Sequence, residues 1–261
     1  MRYPRPDSPF HRLLLDTKYI RILGNAVLPT YLATVDNGVK LRLRTTGGDR
    51  GVAEEIFLDR IYERYFKPEL GQTVVDAGAH IGCFTLRAAT LVGESGHVLS
   101  FEPSTQNYML LSNNVSMNGL RNIRTFNCGL SSREGEAELL LSSNTGSNSL
   151  FSRTDQKISV VAREKVQLRQ LDSIVDDLNL SQVDLIKLDA EGAELEILHG
   201  AERILSKFHP KIVGEAHPAF SASAEAILRL LSQFGYQGNI DQYHSRLQIF
   251  YAWPTDDRTS P

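Results

Sequence analysis

The sequence predicts an α/β fold: a mainly parallel sheet with helices on both faces. Three observations carry it. Apolar segments of strand length alternate along the chain with segments of helical periodicity. Two of the strand segments, at 74–76 and 97–101, run into a carboxylate, Asp76 and Glu102, with no hairpin signal behind it. The stretch between them has room for a helix at 81–92 and a return through Gly93 and Gly96, as one β-α-β unit requires.

The elements follow in order. Residues 31–44 alternate around Asp36-Asn37-Gly38, a strong signal for a β-hairpin, which marks 1–50 as an N-terminal extension and 51–261 as the catalytic domain. Val52, Ile56, Ile61 and Tyr65 recur near helical spacing, predicting a helix over 52–66 closed by Pro68 and Gly71. Helices at 104–117, 193–207 and 222–234 alternate with strands at 123–127, 183–188, 211–215 and 247–251. In such a sheet ligands bind at the carboxyl ends of strands. Residues 136–168 read as β-like segments around a polar Ser/Asn stretch, an insertion above the sheet that is either a lid over substrate or an ordinary long hairpin. No internal repeat is found.

The run Val74-Val75-Asp76-Ala77-Gly78-Ala79-His80-Ile81-Gly82 reads as a nucleoside-cofactor loop. Glycine lets the backbone turn tightly, and the next helix opens with unpaired N–H groups. A dinucleotide loop uses G-x-G-x-x-G to receive pyrophosphate, which an acid at the strand tip repels. Asp76 therefore favours a cationic cofactor without phosphate, S-adenosylmethionine, over NAD. Glu102, at the tip of the next strand, is placed to accept both ribose hydroxyls. The predicted cofactor set is Asp76, Gly78, Ala79, His80, Gly82, Glu102 and Asn127.

A third strand, Asp184-Leu185-Ile186-Lys187-Leu188, delivers Asp189 and Glu191, and Ile212-Val213-Gly214 delivers Glu215 and His217. Asp189, Glu215 and His217 are the predicted catalytic residues. His217 titrates near neutrality in its ordinary state and is the candidate base, with Asp189 orienting acceptor or base. A divalent ion among these three residues is the alternative; no metal is assigned. Glu194 and Glu196 read as acids favoured by a helix dipole and are left out of the site.

At 261 residues, 41% hydrophobic and 23% charged, the chain supports one substantial core. A net charge of −3 provides no field for a phosphate backbone, so a nucleic-acid partner is disfavoured and a small-molecule, glycan or lipid acceptor expected. Cys83 and Cys128 form no disulfide or zinc framework. The start is broken by prolines and Leu13-Leu14-Leu15 is too short to span lipid, so no targeting or transmembrane segment is read and a cytoplasmic protein is expected. Arg2, Arg5, Arg12, Lys18 and Arg21 read as a solvated basic arm.

Taken together, the chain resembles the FkbM family of S-adenosylmethionine-dependent methyltransferases. The carriers are the Asp76-to-Gly82 loop, Phe101-Glu102-Pro103, a helix with Asn114 and Asn118, the run from Ile186 to Glu194, and Glu215-Ala216-His217-Pro218. The resemblance implies a class I methyltransferase (Rossmann-like) sheet of seven strands, the final one antiparallel, and O-methylation of hydroxyls on sugars, polyketides or other small molecules. Where the family often has Asn in the glycine loop, this chain has His80. RNA methylation on the same fold and nucleotide-dependent oxidation are the competing readings.

Overall fold

The computed structural model describes residues 18–22, 26–142, 146, 148–150, 160–217, 223–243 and 247–256, with backbone alone for 18–22, 26–28, 37 and 247. Arg2, Arg5, Arg12, Pro218 and part of the Ser/Asn stretch lie outside the described residues.

β1 (Lys18–Ile22) and β2 (Ala26–Val35) pair antiparallel. A 3-10 turn at Asp36–Gly38 leads into β3 (Val39–Arg44), with Val35 opposite Val39. The expected hairpin is present, widened by β1 into a three-stranded sheet. It is fastened by α3 (Thr105–Asn118), reached further along the chain. Asn114 Oδ1 accepts the Arg42 N–H at 2.7 Å and Asn118 Oδ1 accepts the Lys40 N–H at 2.8 Å. Asn118 Nδ2 returns a bond to the Lys40 carbonyl at 2.7 Å. These two asparagines satisfy backbone groups of β3 as a neighbouring strand would.

The single helix expected over 52–66 is corrected. α1 (Asp49–Glu54) passes into a π-helical turn at Glu55–Asp59, which ends on Arg60 in the left-handed region. Ile56 and Ile61 are both buried although five positions apart. A regular α-helix turns them about 140° from one another, so only a local change of winding turns both inward.

The core then alternates as expected: β4 (Thr73–Ala77), α2 (Cys83–Val92), β5 (His97–Phe101), α3 and β6 (Ile123–Phe126). The insertion consists of β7 (Gly129–Leu130), β8 (Gly135–Ser142) and β9 (Val160–Arg169), with β8 antiparallel and β7 parallel to β9. α4 (Leu171–Asp177) and β10 (Leu185–Leu188) follow. The helix expected over 193–207 is two, α5 (Glu194–His199) and α6 (Glu202–Phe208). They part at Gly200, where a Cβ would stand 2.0 Å from the Ser131 carbonyl oxygen. Asp172 then accepts the Arg203 and Ile204 N–H groups at 2.9 and 3.0 Å, giving α6 its own start. β11 (Lys211–Ala216), α7 (Ala224–Ser232), β12 (Tyr236–Tyr243) and β13 (Leu247–Pro254) complete the chain.

The main sheet has the order β12-β13-β11-β10-β4-β5-β6. β11, β10, β4, β5 and β6 are parallel, and β13 runs antiparallel to β11 and β12. Consecutive apolar residues divide between its faces. Val74, Val98, Leu185 and Val213 pack toward α2 and the N-terminal sheet. Val75, Leu99, Ile186 and Ile212 pack toward α4 to α7. This two-residue alternation in fully buried strands is the α/β pattern, and seven strands with an antiparallel final one make the class I methyltransferase sheet that the resemblance implied. The order reverses between β4 and β10, opening the crevice where ligands of such sheets bind. No helix among the described residues is long and apolar enough to cross a membrane.

Candidate active site

Asp76, one residue before the end of β4, is fully buried. Its Oδ2 accepts the Thr85 hydroxyl at 2.7 Å and its Oδ1 lies 3.1 Å from Lys187 Nζ. Lys187 also donates to the Gly78 carbonyl at 2.8 Å. Asp76 therefore lies behind the loop, not on the cavity wall as the sequence suggested, and its charge is met by a lysine from β10. Gly78, at φ +77, is where the two strand tips meet: a Cβ would come within 1.9 Å of the Asp189 carbonyl oxygen. Gly82, at φ +90, starts α2 against Leu111 and does not line the cavity.

Glu102 does line it. Its carboxylate accepts the His80 and Ser104 N–H groups at 2.8 and 2.9 Å and Asn107 Nδ2 at 3.3 Å. Burial pushes the Glu102 carboxyl up to about 7, against the pull of those three donors. Asn127 stands outside the cavity wall and donates to the Glu102 and Pro103 carbonyls at 2.9 and 3.1 Å, bracing that strand tip. Ala79 and His80 face the cavity, with His80 at φ +52.

At the tips of β10 and β11, Asp189 and Glu215 meet under one phenol. The Tyr62 hydroxyl lies 2.9 Å from Glu215 Oε1 and 3.3 Å from Asp189 Oδ2, and all three residues line the cavity. Burial first, then the Asp189 charge, raises the Glu215 carboxyl above its ordinary range. His217 does not line the cavity. Its Nδ1 is 2.8 Å from Glu194 Oε1, and its Nε2 is 3.7 Å from both Asp189 and Glu191. Burial disfavours its charge, but Glu194, Glu191 and Asp189 outweigh burial and raise its pKa to about 10. The raised pKa favours the imidazolium at neutral pH, which argues against the base role expected of His217. Glu194, set aside in the sequence as a dipole acid, is its fully buried counter-ion and also accepts the Ala190 and Gly192 N–H groups at 3.0 and 3.2 Å.

The cavity holds about 320 Å³, within the range of small-ligand pockets. Phe101, Leu130, Leu139 and Leu150 make part of its wall apolar; Glu55, Asp189 and Glu215 make another part acidic. In the sheet order β5 and β11 are three strand steps apart, about 14 Å, so the two linings lie toward opposite ends of an elongated site. Leu139 and Leu150 belong to the insertion, whose Ser149 hydroxyl donates to the Glu191 carbonyl at 2.6 Å. Glu55, from the π turn, is pushed up to about 7 by burial and by Asp189. Sequence reading missed Glu55 and Tyr62, because both sit where the helix pattern breaks, and gave Lys187 no role, because a lysine inside an apolar strand carries no local sign of its partners.

A family model described as the methyltransferase FkbM domain matches residues 76–237, well over half of the chain. The chain belongs to the FkbM methyltransferase family. Among similar proteins, methyltransferase sdnD of Sordaria araneosa is 30% identical over 178 residues, 58% of this chain and 68% of that one. Methyltransferase 1 of Beauveria bassiana is 27% identical over 167 residues, 58% of this chain and 66% of that one. The AMB antimetabolite synthetase AmbE of Pseudomonas aeruginosa is 27% identical over 231 residues, 73% of this chain but 11% of that much longer protein. The solved structure of methyltransferase FkbM from Methylobacillus flagellatus KT superposes with a TM-score of 0.52 at 19% identity, covering 74% of this chain and 50% of that one, a likeness of fold. This FkbM methyltransferase carries the β10-to-α5 run and the β11 tip inside the matched region, while its N-terminal sheet and π turn precede it.

Proposed function

We propose that the enzyme transfers the methyl group of S-adenosylmethionine to a hydroxyl of a small-molecule, sugar, glycan or lipid acceptor. One observation carries this: a single cavity is lined both by the Gly78-to-His80 loop with Glu102 and by Asp189 and Glu215 under Tyr62. The cofactor fits these residues. The apolar lining suits the adenine ring, Glu102 the ribose hydroxyls, and the acidic lining a sulfonium and an ammonium, while Lys187, the one lysine in the described lining, is engaged by Asp76 and the Gly78 carbonyl. When bound, it supplies an electrophilic methyl on a cationic sulfur.

An alcohol becomes a useful nucleophile as it sheds its proton, and Asp189 is the group on the cavity wall that accepts it. Beside it, the Asp189 charge and burial make Glu215 a stronger proton acceptor than an ordinary carboxylate. Tyr62 fixes the pair, and the imidazolium of His217 limits their repulsion from behind. Lys187 holds Gly78, and with it the cofactor loop, against the same strand. The acidic lining favours neutral or cationic acceptors and opposes a phosphate backbone, which supports a small acceptor over RNA. The insertion at 136–168 acts as the lid, supported by Leu139 and Leu150 in the wall. Residues 1–50 are taken as an extension of a catalytic domain at 51–261, and the buried thiols Cys83 and Cys128 suit a cytoplasmic enzyme.

A second reading places a divalent cation at Asp189, Glu215 and His217, whose ligand atoms lie within 4.8 Å of one another. It requires His217 to release its proton to solvent as the cation binds its ring nitrogen. Turnover after exhaustive chelation separates the two: undiminished activity removes the cation. The primary test is calorimetry with S-adenosylhomocysteine and NADH, followed by labelling of fractionated extract with a methyl-labelled donor. Binding of NADH alone overturns the reading, and label confined to RNA reverses the acceptor class.

A further inference from the structure

Arg44 ends β3, outside the family match, and its side chain is buried without any counterpart signal in the sequence. A buried guanidinium needs acceptors for its N–H groups. Its Nε donates to Asp49 Oδ2 at 2.9 Å, its Nη2 to Asp49 Oδ1 at 2.7 Å and its Nη1 to Asn107 Oδ1 at 2.9 Å. Nη2 also stands 2.9 Å from His80 Nε2. Arginine has donors only, so Nε2 is the lone-pair side of the ring and the proton of neutral His80 sits on Nδ1.

The bonds close into a ring. Arg44 holds the His80 side chain and the Asn107 side chain; the His80 N–H and Asn107 Nδ2 both donate to the Glu102 carboxylate, at 2.8 and 3.3 Å. Glu102 lines the cavity, and His80 keeps a left-handed backbone that a side chain adopts at some cost. Two of the groups that orient the strand-tip acid therefore depend on one guanidinium from the N-terminal sheet.

We propose that Arg44 is a positioning residue of the cofactor site, fixing the tautomer of His80 and the amide of Asn107 and, through them, the Glu102 carboxylate that receives the ribose hydroxyls. The inference rests on the function proposed above and extends it: the N-terminal sheet is a working part of the cofactor wall. The charged groups facing His80 are Asp49 and Arg44 on one side and Asp189 and Lys187 on the other. Burial is the largest influence and lowers the His80 pKa to about 4. Cofactor affinity thus owes no pH dependence to this ring above about pH 5.

The test combines nitrogen-15 imidazole spectra of the ligand-free protein with calorimetry of S-adenosylhomocysteine. In the wild type His80 shows a protonated Nδ1 and an unprotonated Nε2 that does not titrate above pH 5. Arg44→Leu weakens S-adenosylhomocysteine at least tenfold; Arg44→Lys, which keeps the charge beside Asp49 but cannot fork to both partners, weakens it less and lets His80 titrate at higher pH. A wild-type ring protonated on Nε2, or an Arg44→Lys protein whose affinity and His80 titration match the wild type, overturns the proposal. Should Arg44→Leu not fold, the wild-type tautomer and Arg44→Lys decide the matter. A wild type that binds no S-adenosylhomocysteine sinks the proposed function instead, and is recognisable because the tautomer is read without ligand.

Discussion

Asp76 and Asp189 are the same residue type at the tips of adjacent parallel strands, with Lys187 between them at 3.1 and 3.7 Å. Asp76 is sealed, with Thr85 and Lys187 as partners. Asp189 keeps 29% of its side chain exposed and faces Tyr62, Glu215 and the cavity. One carboxylate is neutralised and structural; the other is crowded by like charge and available to a substrate. Position at a strand end brings an acid to the crevice, but its neighbours decide whether it holds the fold or does chemistry.

The comparison breaks most visibly at Asp189. Asp189→Asn removes the proton acceptor and is expected to lower kcat by about 10²- to 10⁴-fold with little change in S-adenosylhomocysteine affinity. An Asp189→Asn enzyme with wild-type turnover on the labelled acceptor would show that proton removal lies elsewhere.

The mirror experiment is on the sealed acid. Lys187→Met leaves Asp76 buried without its cation, and denaturant unfolding should report a loss of roughly 3–5 kcal/mol. A midpoint shift worth less than about 1 kcal/mol would mean that the pair contributes little to stability.

The crowded side also sets how stability responds to pH. Glu102 has a folded pKa of about 7, above its unfolded range, so its contribution is present at low pH and lost as pH rises through 7. His217, raised to about 10, binds an extra proton in the folded state between pH 6.5 and 10, which again favours the fold less as pH rises through that window. His80, lowered to about 4, acts in the opposite direction, and its small effect is complete by about pH 7.5. Glu55, raised to about 7, and Glu215, raised to about 8, act in the same direction as Glu102, so the ligand-free enzyme should lose stability between pH 6.5 and 8. Thermal melts at the two pH values check the sign, and a Tm that climbs with pH contradicts it.

The smallest effect expected is at Tyr62. Its hydroxyl favours the charged form of Glu215, so Tyr62→Phe costs about 1 kcal/mol and moves the rising limb of the pH–rate profile to higher pH. An unmoved profile would place Tyr62 outside the proton-transfer unit.

Much of this architecture was legible in the chain. Strands 74–76, 97–101, 183–188 and 211–215 and the Asn-Gly hairpin announce themselves through period-two apolar runs and turn sterics, which are properties of a few adjacent residues. β12 did not, because as an edge strand its Gln237, Glu-free polar run through Asn239, Asp241 and Gln242 has little alternation to detect. The break at Gly200 was equally silent, since its cause is the Ser131 backbone packed against it from another element.

The site divides along the same line. The sequence by itself determined which side chains stand at the strand ends: a glycine loop after β4, acids at the tips of β4, β5, β10 and β11, a histidine beyond them. Only the tertiary structure decided what each one does there. It turned Asp76 toward Lys187, surrounded His217 with three carboxylates, and brought Tyr62 and Arg44 to partners far along the chain. Backbone sterics and strand periodicity act over a few residues, whereas the charge state and availability of a buried group depend on every neighbour within several ångströms, and those neighbours are assembled only when the chain folds.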